Sequence, residues 1–143
     1  MRHQGFEALQ LVDVRQALES GLVAASMDVM TPEQLASIDE SVRQMEELAQ
    51  AGENFVSADA EFHRRLFEPL NNELLMNLMD VFWKVYRKIH VEIGPANEDL
   101  VATAALHRNI YTAVAEGDKT EASARLNRHF DGIRRRIADA VEA

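Results

Sequence analysis

The amino-acid sequence predicts an all-α protein, an antiparallel bundle of about six helices. Apolar residues recur at spacings of three and four along nearly the whole chain, which is the periodicity of amphipathic helices. The 143 residues include only 3 Pro and 6 Gly, and all three Pro fall between periodic stretches. No stretch alternates in the manner of a β-strand. Short loops between consecutive helices favour antiparallel packing, so we expect residues 1–143 to form one domain.

Composition excludes several classes of protein. The formal net charge of -9 argues against binding nucleic acid directly, because phosphate contacts need clustered Lys and Arg. The absence of Cys excludes disulfides and thiolate metal sites, and it fits a reducing cytoplasm. No apolar run approaches the roughly 18 residues of a membrane span, and no signal-peptide core follows the N-terminus. The predicted location is therefore cytoplasmic.

Each helix is predicted from its periodicity and its end signals. Thr31, Pro32 and Gln34 form a capping box with Pro at the first position, and Gly117-Asp118 is a stop followed by a start. The fourth segment is apolar on nearly all sides and is predicted to be central or dimer-facing. The predicted segments are Phe6 to Met30, Thr31 to Gly52, Asn54 to Glu68, Asn71 or Asn72 to Glu92, Asn97 or Asp99 to Gly117, and Asp118 onward.

Asp59 and His63 suggest a metal site because they stand four residues apart, on one face of the third helix. A carboxylate among aromatic residues is costly unless it is paired or coordinated. His107 and His129 fall on the inward stripes of two later helices. Three imidazoles and one carboxylate suit zinc, nickel, cobalt or iron. Spacing alone leaves open whether these residues bind a metal or are hydrogen-bonded core residues.

Four further residues lie where they could line a pocket. Arg15 lies on or beside the apolar stripe of the first helix, where it either reaches the rim or binds an anion. Trp83, Arg87 and His90 share one face of the fourth helix, where they could line a pocket, but the spacing alone favours packing with a polar end. The sequence contains no glycine-rich phosphate loop, nucleophile elbow or His-Glu-x-x-His motif, so no catalytic residue is predicted.

Several segments carry a family resemblance in their order and spacing. The chain resembles the C-terminal effector-binding (FCD) domain of the FadR subfamily of GntR-type bacterial transcriptional regulators. This resemblance implies a bundle of six to seven helices with a central metal and ligand cavity, and usually a homodimer. The matching segments are Arg15-Gln-Ala-Leu-Glu19, Asp59-Ala-Glu-Phe-His63, the Asn71-Asn72 helix start, His107 to Asp118, and Asn127-Arg-His129.

The resemblance also implies residue roles. In the metal-binding branch of the family, the matching positions ligate a divalent metal, often zinc or nickel, through Asp59, His63, His107 and His129. The effector is a small carboxylate, and Arg15 matches the arginine that clamps it. This match favours the anion-binding interpretation of Arg15.

We also predict that Trp83 and Arg87 line the effector pocket. Regulators of this type carry an N-terminal winged helix-turn-helix, which this chain lacks, so we expect it to act on DNA only through such a module. The predicted domain is not an enzyme. The alternatives are a metal-dependent enzyme acting on a small organic acid and a purely structural dimerisation domain.

Overall fold

A computed structural model describes residues 2–93 and 99–142, with side chains for residues 7–88 and 99–139. The described ranges contain six α-helices, one 3-10 turn at Glu68–Leu70 and no β-strand. In those ranges no helix is long and apolar enough to cross a membrane. The all-α fold is thereby confirmed. The helices are α1 (Arg2–Val29), α2 (Pro32–Gln50), α3 (Val56–Phe67), α4 (Glu73–Ile93), α5 (Leu100–Ala115) and α6 (Lys119–Glu142).

Several helices begin or end at the residues that the sequence predicts. Thr31 and Gln34 form the reciprocal capping box of α2. The Asp99 carboxylate caps α5 by accepting from the amide of Ala102 at 3.0 Å, whereas the alternative start at Asn97 lies outside the described residues. Gly117 takes a left-handed φ of 73° after α5, a conformation that costs glycine little.

Two helix starts differ from the prediction, and at a third start the structure selects one of the two predicted caps. The first helix begins at Arg2 rather than Phe6, because a single glycine at position 5 weakens a helix without ending it. Asn54 does not cap α3: its side chain accepts from the Val56 amide, which moves the cap position to Phe55. The chain around Pro69 forms a 3-10 turn that ends at Asn71, whose φ is 50°; Asn72 therefore caps α4 by accepting from the Leu75 amide.

The longest helix pair is α1 with α6, and it is antiparallel. The Ser123 hydroxyl donates to the Ser20 carbonyl at 2.9 Å, while Arg134, later in α6, contacts Asp13, earlier in α1. Helix α2 packs on α3 and α5, and α5 packs on α6. One contiguous apolar core joins these helices and surrounds the inward-facing residues of α3, α5 and α6.

Helix α4 lies at the edge of the bundle, where it contacts α1 and α3. It buries Leu75, Met79 and Trp83 on one side. The prediction of a central position is therefore wrong, because an all-round apolar pattern does not say how many faces have a neighbour. The dimer-facing alternative stays a prediction. The exposed apolar residues of its outer side are Leu74, Leu78 and Val81.

The inward face of α1 is more polar than its apolar pattern predicts. Ala25, which helical spacing places on the apolar stripe of this segment, is exposed, whereas Arg15, Glu19 and Ser26 are buried beside Val12. The side chain of Arg15 therefore does not extend to the rim. Its residue is only 1% exposed, which places a guanidinium inside the bundle.

Candidate metal centre

Helix α3 presents Asp59 and His63 on its inward face. Their spacing of four residues places the Asp59 Oδ1 atom 3.2 Å from Nε2 of His63. Phe62 packs edge-on against the imidazole of His63, with ring centroids 5.2 Å apart. The short helix therefore holds a carboxylate and an imidazole together inside an aromatic shell.

Helices α5 and α6 add the other two predicted ligands. His107 places its Nε2 atom 2.9 Å from Oδ1 of Asp59. His129 stacks on His63, with ring centroids 5.4 Å apart and planes inclined by 21°. One potential ligand atom from each of the four residues lies within 4.8 Å of the others. The fold thus brings together four residues that the sequence separates by up to 70 positions.

Hydrogen bonds on the far side of two imidazoles set their orientation. Nδ1 of His107 lies 2.8 Å from the carbonyl oxygen of Thr103, and a carbonyl can only accept, so Nδ1 is the donor. Nδ1 of His63 lies 2.5 Å from Oε1 of Glu19 in the same relation. Both rings therefore direct Nε2 toward the centre of the cluster, which is the arrangement of metal-ligating histidines whose other nitrogen is anchored.

The cluster also contains polar atoms without partners. Among the described side chains, four buried nitrogen atoms lack a hydrogen-bond partner: Nε2 of His63, Nε2 of His129, Nε of Arg15 and Nε1 of Trp83. Leaving one such group unsatisfied costs about 1–3 kcal/mol, so native proteins rarely collect them without a ligand. Two of the four are imidazole nitrogens beside a carboxylate, a donor set that fits a divalent transition metal.

Burial and the neighbouring charges set the pKa values of the cluster. Burial alone would raise the pKa of Asp59, but the neighbouring His107 and His63 hold it well below its usual range. Burial alone would lower the pKa of His63, whereas the Glu19 charge and the neighbouring Asp59 carboxylate raise it to about 8. Burial, together with repulsion from the other imidazoles, lowers the pKa of His129 well below 6.5. Asp59 is thus ionised and His129 neutral at pH 7, the states in which both coordinate metal.

The predicted effector residues divide between two places. Arg15 and Trp83 lie at the cluster: the Arg15 guanidinium is 4.6 Å from the centroid of the Trp83 ring, which contacts His63. Arg87 is exposed and lines an outer cleft of about 370 Å³ together with Arg64 and Trp83. Trp83 therefore borders both places, and Arg87 does not reach the inner cluster. The side chain of His90 lies outside the described residues.

Glu19 belongs to the cluster although the sequence did not single it out. Its buried carboxylate contacts both Arg15 and His63. The available signal was the spacing of four residues from Arg15, which on a helix brings opposite charges together. That spacing is common on exposed helix faces, so it carries information only once the burial of Arg15 is known.

Comparison with known proteins agrees with this fold. Residues 10–132 match the FCD domain family. NedR of Micromonospora viridifaciens, which is named as a transcriptional regulatory protein, is 32% identical over 111 residues that cover 78% of this chain and 80% of NedR. The HTH-type transcriptional regulator LutR of Bacillus subtilis is 27% identical over 129 residues, or 87% of this chain and 59% of LutR. The uncharacterized HTH-type regulator YcbG of the same organism is 26% identical over 133 residues, or 92% of this chain and 55% of YcbG.

Two solved structures share the fold. The Streptococcus agalactiae GntR structure superimposes with a TM-score of 0.77 and 22% identity over 94% of this chain and 61% of that chain. The E. coli McbR/YncC structure superimposes with a TM-score of 0.76 and 17% identity over 91% of this chain and 63% of that chain. At these identities the likeness establishes the fold alone.

These findings define the class of the protein and then its family. By fold and site it is an all-helical domain with an inward-facing Asp/His cluster. The chain belongs to the FCD domain family, the effector-sensing domain of GntR-family transcriptional regulators. The relatives named above are regulators, which agrees with a non-enzymatic role. The chain spans 55% and 59% of the two Bacillus regulators that it matches.

Proposed function

We propose that this domain senses a small carboxylate with the help of a divalent metal, zinc or nickel, held by Asp59, His63, His107 and His129. The observation that carries the proposal is the set of unpartnered buried nitrogens at one Asp/His cluster. When bound, such a metal supplies a Lewis-acidic centre with room for an effector oxygen. Three imidazoles with one carboxylate favour zinc and nickel over calcium and magnesium.

The anion-binding half of the proposed site is Arg15 with Trp83. The guanidinium of Arg15 lies in a cage of aromatic rings, 4.6 Å from the centroid of Trp83 and 5.0 Å from that of Phe130. Its Nε atom and the Trp83 indole nitrogen are buried donors without an acceptor. A carboxylate oxygen is the acceptor that such donors bind most strongly, because the hydrogen bond to Arg15 joins opposite charges.

In a full-length regulator we expect the effector to act on DNA through an N-terminal module. An effector that binds one arrangement of the helices better than another shifts the population toward that arrangement. The FCD domain would in this way change how the DNA-binding modules are placed. A regulator that reaches bacterial DNA works in the cytoplasm, and we propose this location for the protein.

Calorimetric titration tests the proposed sensor. We expect the zinc-loaded protein to bind at least one member of a panel of hydroxy, keto, sugar and dicarboxylic acids, and the chelator-treated protein to bind it far more weakly. The metal content is measured by mass spectrometry before each titration. A fully zinc-loaded protein that binds no acid in the panel would contradict the proposal.

We further propose a homodimer formed through the outer face of α4. Leu74, Leu78 and Val81 recur at helical spacing on this face and are 69%, 38% and 53% exposed. Exposed apolar stripes on an edge helix are typical of an interface. A second copy presents the same stripe, so a two-fold axis would bury both stripes together.

Sedimentation analysis tests the dimer. We expect the unaltered domain to sediment as a dimer and the Leu78→Glu variant as a monomer, because each copy would bring a buried charge to the interface. Val101→Glu is the matched control, since Val101 is 51% exposed on α5. A monomeric unaltered domain, or a Leu78→Glu variant that stays dimeric, would contradict this interface.

A further inference from the structure

Glu19 is a buried carboxylate that contacts both halves of the proposed sensing site. It is 3% exposed in the middle of α1. Its Oε1 atom lies 2.5 Å from Nδ1 of His63, and its Oε2 atom accepts from Nη2 of Arg15 at 3.2 Å. One carboxylate therefore uses one oxygen for a candidate metal ligand and the other for the candidate anion clamp.

We propose that Glu19 is the positioning residue that joins the metal-binding and effector-binding halves of the site, and that its charge sets which acids fit. This inference rests on the function proposed above and goes beyond it. Glu19 contacts neither the effector nor the metal in this scheme. It acts through His63 and Arg15.

On the metal side, Glu19 determines which nitrogen of His63 is available. A carboxylate at Nδ1 holds the proton there and leaves the Nε2 lone pair directed at Asp59 and the stacked His129 ring. Without a carboxylate at this place the imidazole could turn or carry its proton on Nε2. The His63 ligand would then be lost although the residue itself is unchanged.

On the effector side, Glu19 holds Arg15 without using all of its donors. The bond from Nη2 fixes the guanidinium against Trp83 and Phe130, while Nε keeps no partner. An arginine held in this way is pre-organised, so an incoming carboxylate need not order the side chain. The same contact prevents the isolated positive charge that Arg15 would otherwise place inside the bundle.

The charges of the cluster identify the class of acid. A divalent ion with Asp59, Glu19 and Arg15 carries one net positive charge in a buried space, provided the histidines are neutral. A monocarboxylate neutralises that charge, whereas a dicarboxylate leaves an excess negative charge that burial penalises. Removing the charge of Glu19 leaves two net positive charges, which a dicarboxylate neutralises. The inference therefore predicts a preference for monocarboxylates that depends on Glu19.

The Glu19→Gln variant tests both effects, because glutamine has the same shape without the charge. We expect its zinc affinity, measured by chelator competition, to fall about 10- to 100-fold, the usual effect of losing a partner behind a metal ligand. At saturating zinc we expect glycolate to bind more weakly and tartronate, its dicarboxylate counterpart, to gain relative to glycolate. Glu19→Asp keeps the charge and should restore the preference for glycolate.

Two controls separate positioning from a loss of fold. Glu46→Gln removes a carboxylate that also pairs with an arginine, Arg108, and should leave zinc and acid binding unchanged. Nitrogen NMR of the zinc-loaded protein should find the proton of His63 on Nδ1 in the unaltered domain. A merely structural role for Glu19 would alter thermal unfolding without altering this tautomer or the ratio of the two acids.

The outcomes distinguish the inference from the function on which it rests. If the unaltered zinc-loaded domain binds neither glycolate, tartronate nor any other acid of the panel, the proposed function and this inference both fail. If it binds acids and Glu19→Gln retains the zinc affinity and the acid preference, this inference alone is overturned. If Glu19→Gln does not fold, Glu19→Asp provides the test. Weaker zinc binding with an unchanged preference for glycolate then supports the inference, and a lost preference overturns it.

Discussion

Arg15 and Arg108 both pair with carboxylates, Arg15 within α1 and Arg108 across to α2, but they differ in how many of their guanidinium nitrogens have an acceptor. Arg108, on α5, binds Glu46 with Nε and Nη2 and binds Asp39 with Nη1, so every nitrogen of its guanidinium has an acceptor on α2. The hydrogen bonds that Arg108 donates to Glu46 raise the pKa of Arg108 above its usual value. Arg15 is almost fully buried, yet it has a single carboxylate partner and an unpartnered Nε.

This difference teaches how a structural ion-pair network can be told from a binding site. The Arg108 network is partly exposed to solvent, where a polar group without a protein partner costs little free energy. Its guanidinium and carboxylate groups nevertheless pair with one another. The cluster around Arg15 lies where unmet hydrogen bonds cost most, and it leaves several nitrogens free. A buried cluster whose described side chains leave nitrogens without acceptors fits the ligand-binding role proposed above.

The largest expected effect comes from removing a metal ligand. We expect His107→Ala to weaken zinc binding by at least about 100-fold, the upper end of what losing an indirect partner costs. Chelator competition measures the affinity, and thermal unfolding with excess zinc should show stabilisation of the unaltered domain but not of the variant. Arg108→Ala is the control from the other network. An unaltered zinc affinity in His107→Ala would remove this residue from the ligand set.

A smaller effect is expected from changing the clamp while keeping its charge. Arg15→Lys retains a cation but loses the planar set of donors, so we expect acid binding to weaken about 10- to 100-fold, as for a charge-assisted hydrogen bond worth about 1.5–3 kcal/mol. Calorimetry at saturating zinc measures this change. Arg108→Lys should bind the acid normally. Equal acid affinity in both variants would show that Arg15 does not contact the effector.

The pH dependence of metal binding follows from His63, whose pKa in the metal-free protein is raised to about 8. Coordination requires the neutral ring, so zinc affinity should rise about tenfold per pH unit through neutral pH and level off above about 8. At pH 7 zinc binding should release about one proton from His63, which calorimetry in buffers of different ionisation enthalpy detects. A pH-independent zinc affinity between pH 6 and 8 would contradict this ligand.

The same raised pKa predicts the stability of the metal-free domain. Because the folded state binds this proton more tightly than the unfolded chain, the contribution of His63 to the free energy of unfolding is complete below pH 6.5 and is lost as pH rises through about 8. His129, whose pKa is lowered, contributes with the opposite sign: its contribution is present above pH 6.5 and is lost as pH falls. Urea unfolding of the chelator-treated protein across this range measures their net effect.

The smallest expected effect comes from removing Arg108, whose ion pairs with Glu46 and Asp39 form the second network. Arg108→Ala should lower the free energy of unfolding by about 1 kcal/mol, the upper range for ion pairs that solvent reaches, and less at high salt. Urea unfolding at low and high ionic strength measures it. A loss that salt does not reduce would mean that packing of the Arg108 stem on Tyr111, rather than charge, stabilises this contact.

Sequence reasoning predicted most of the fold and the four candidate ligands for different reasons. Helix ends are determined by short stretches of sequence, so the capping box at Thr31 and the helix end at Gly117 can be predicted from a few adjacent residues. The proximity of Asp59 and His63 is also predictable from local sequence, because they lie one helix turn apart. Their meeting with His107 and His129 depends on how three helices pack, and the inward stripes made it plausible without determining it.

What sequence reasoning missed depends on tertiary contacts. In the sequence, Glu19 looks like an acidic residue that pairs with an arginine on an exposed helix face. Only the burial of Arg15, which the structure shows, sets it apart. Helix α4 is apolar on nearly all sides, a pattern shared by central helices and by edge helices that meet a partner. Arg87 falls on the same face as Trp83 by spacing, but one further turn along α4 carries it to the outer cleft.

Trp83 has a consequence for how the domain can be studied. It is the only tryptophan in the chain, and it packs against both the Arg15 guanidinium and the imidazole of His63. Indole emission responds to nearby charge and polarity, so the intrinsic fluorescence of the domain originates from a single position at the edge of the site. We therefore expect Trp83 to act as a built-in optical reporter that follows binding at the proposed site without any added label.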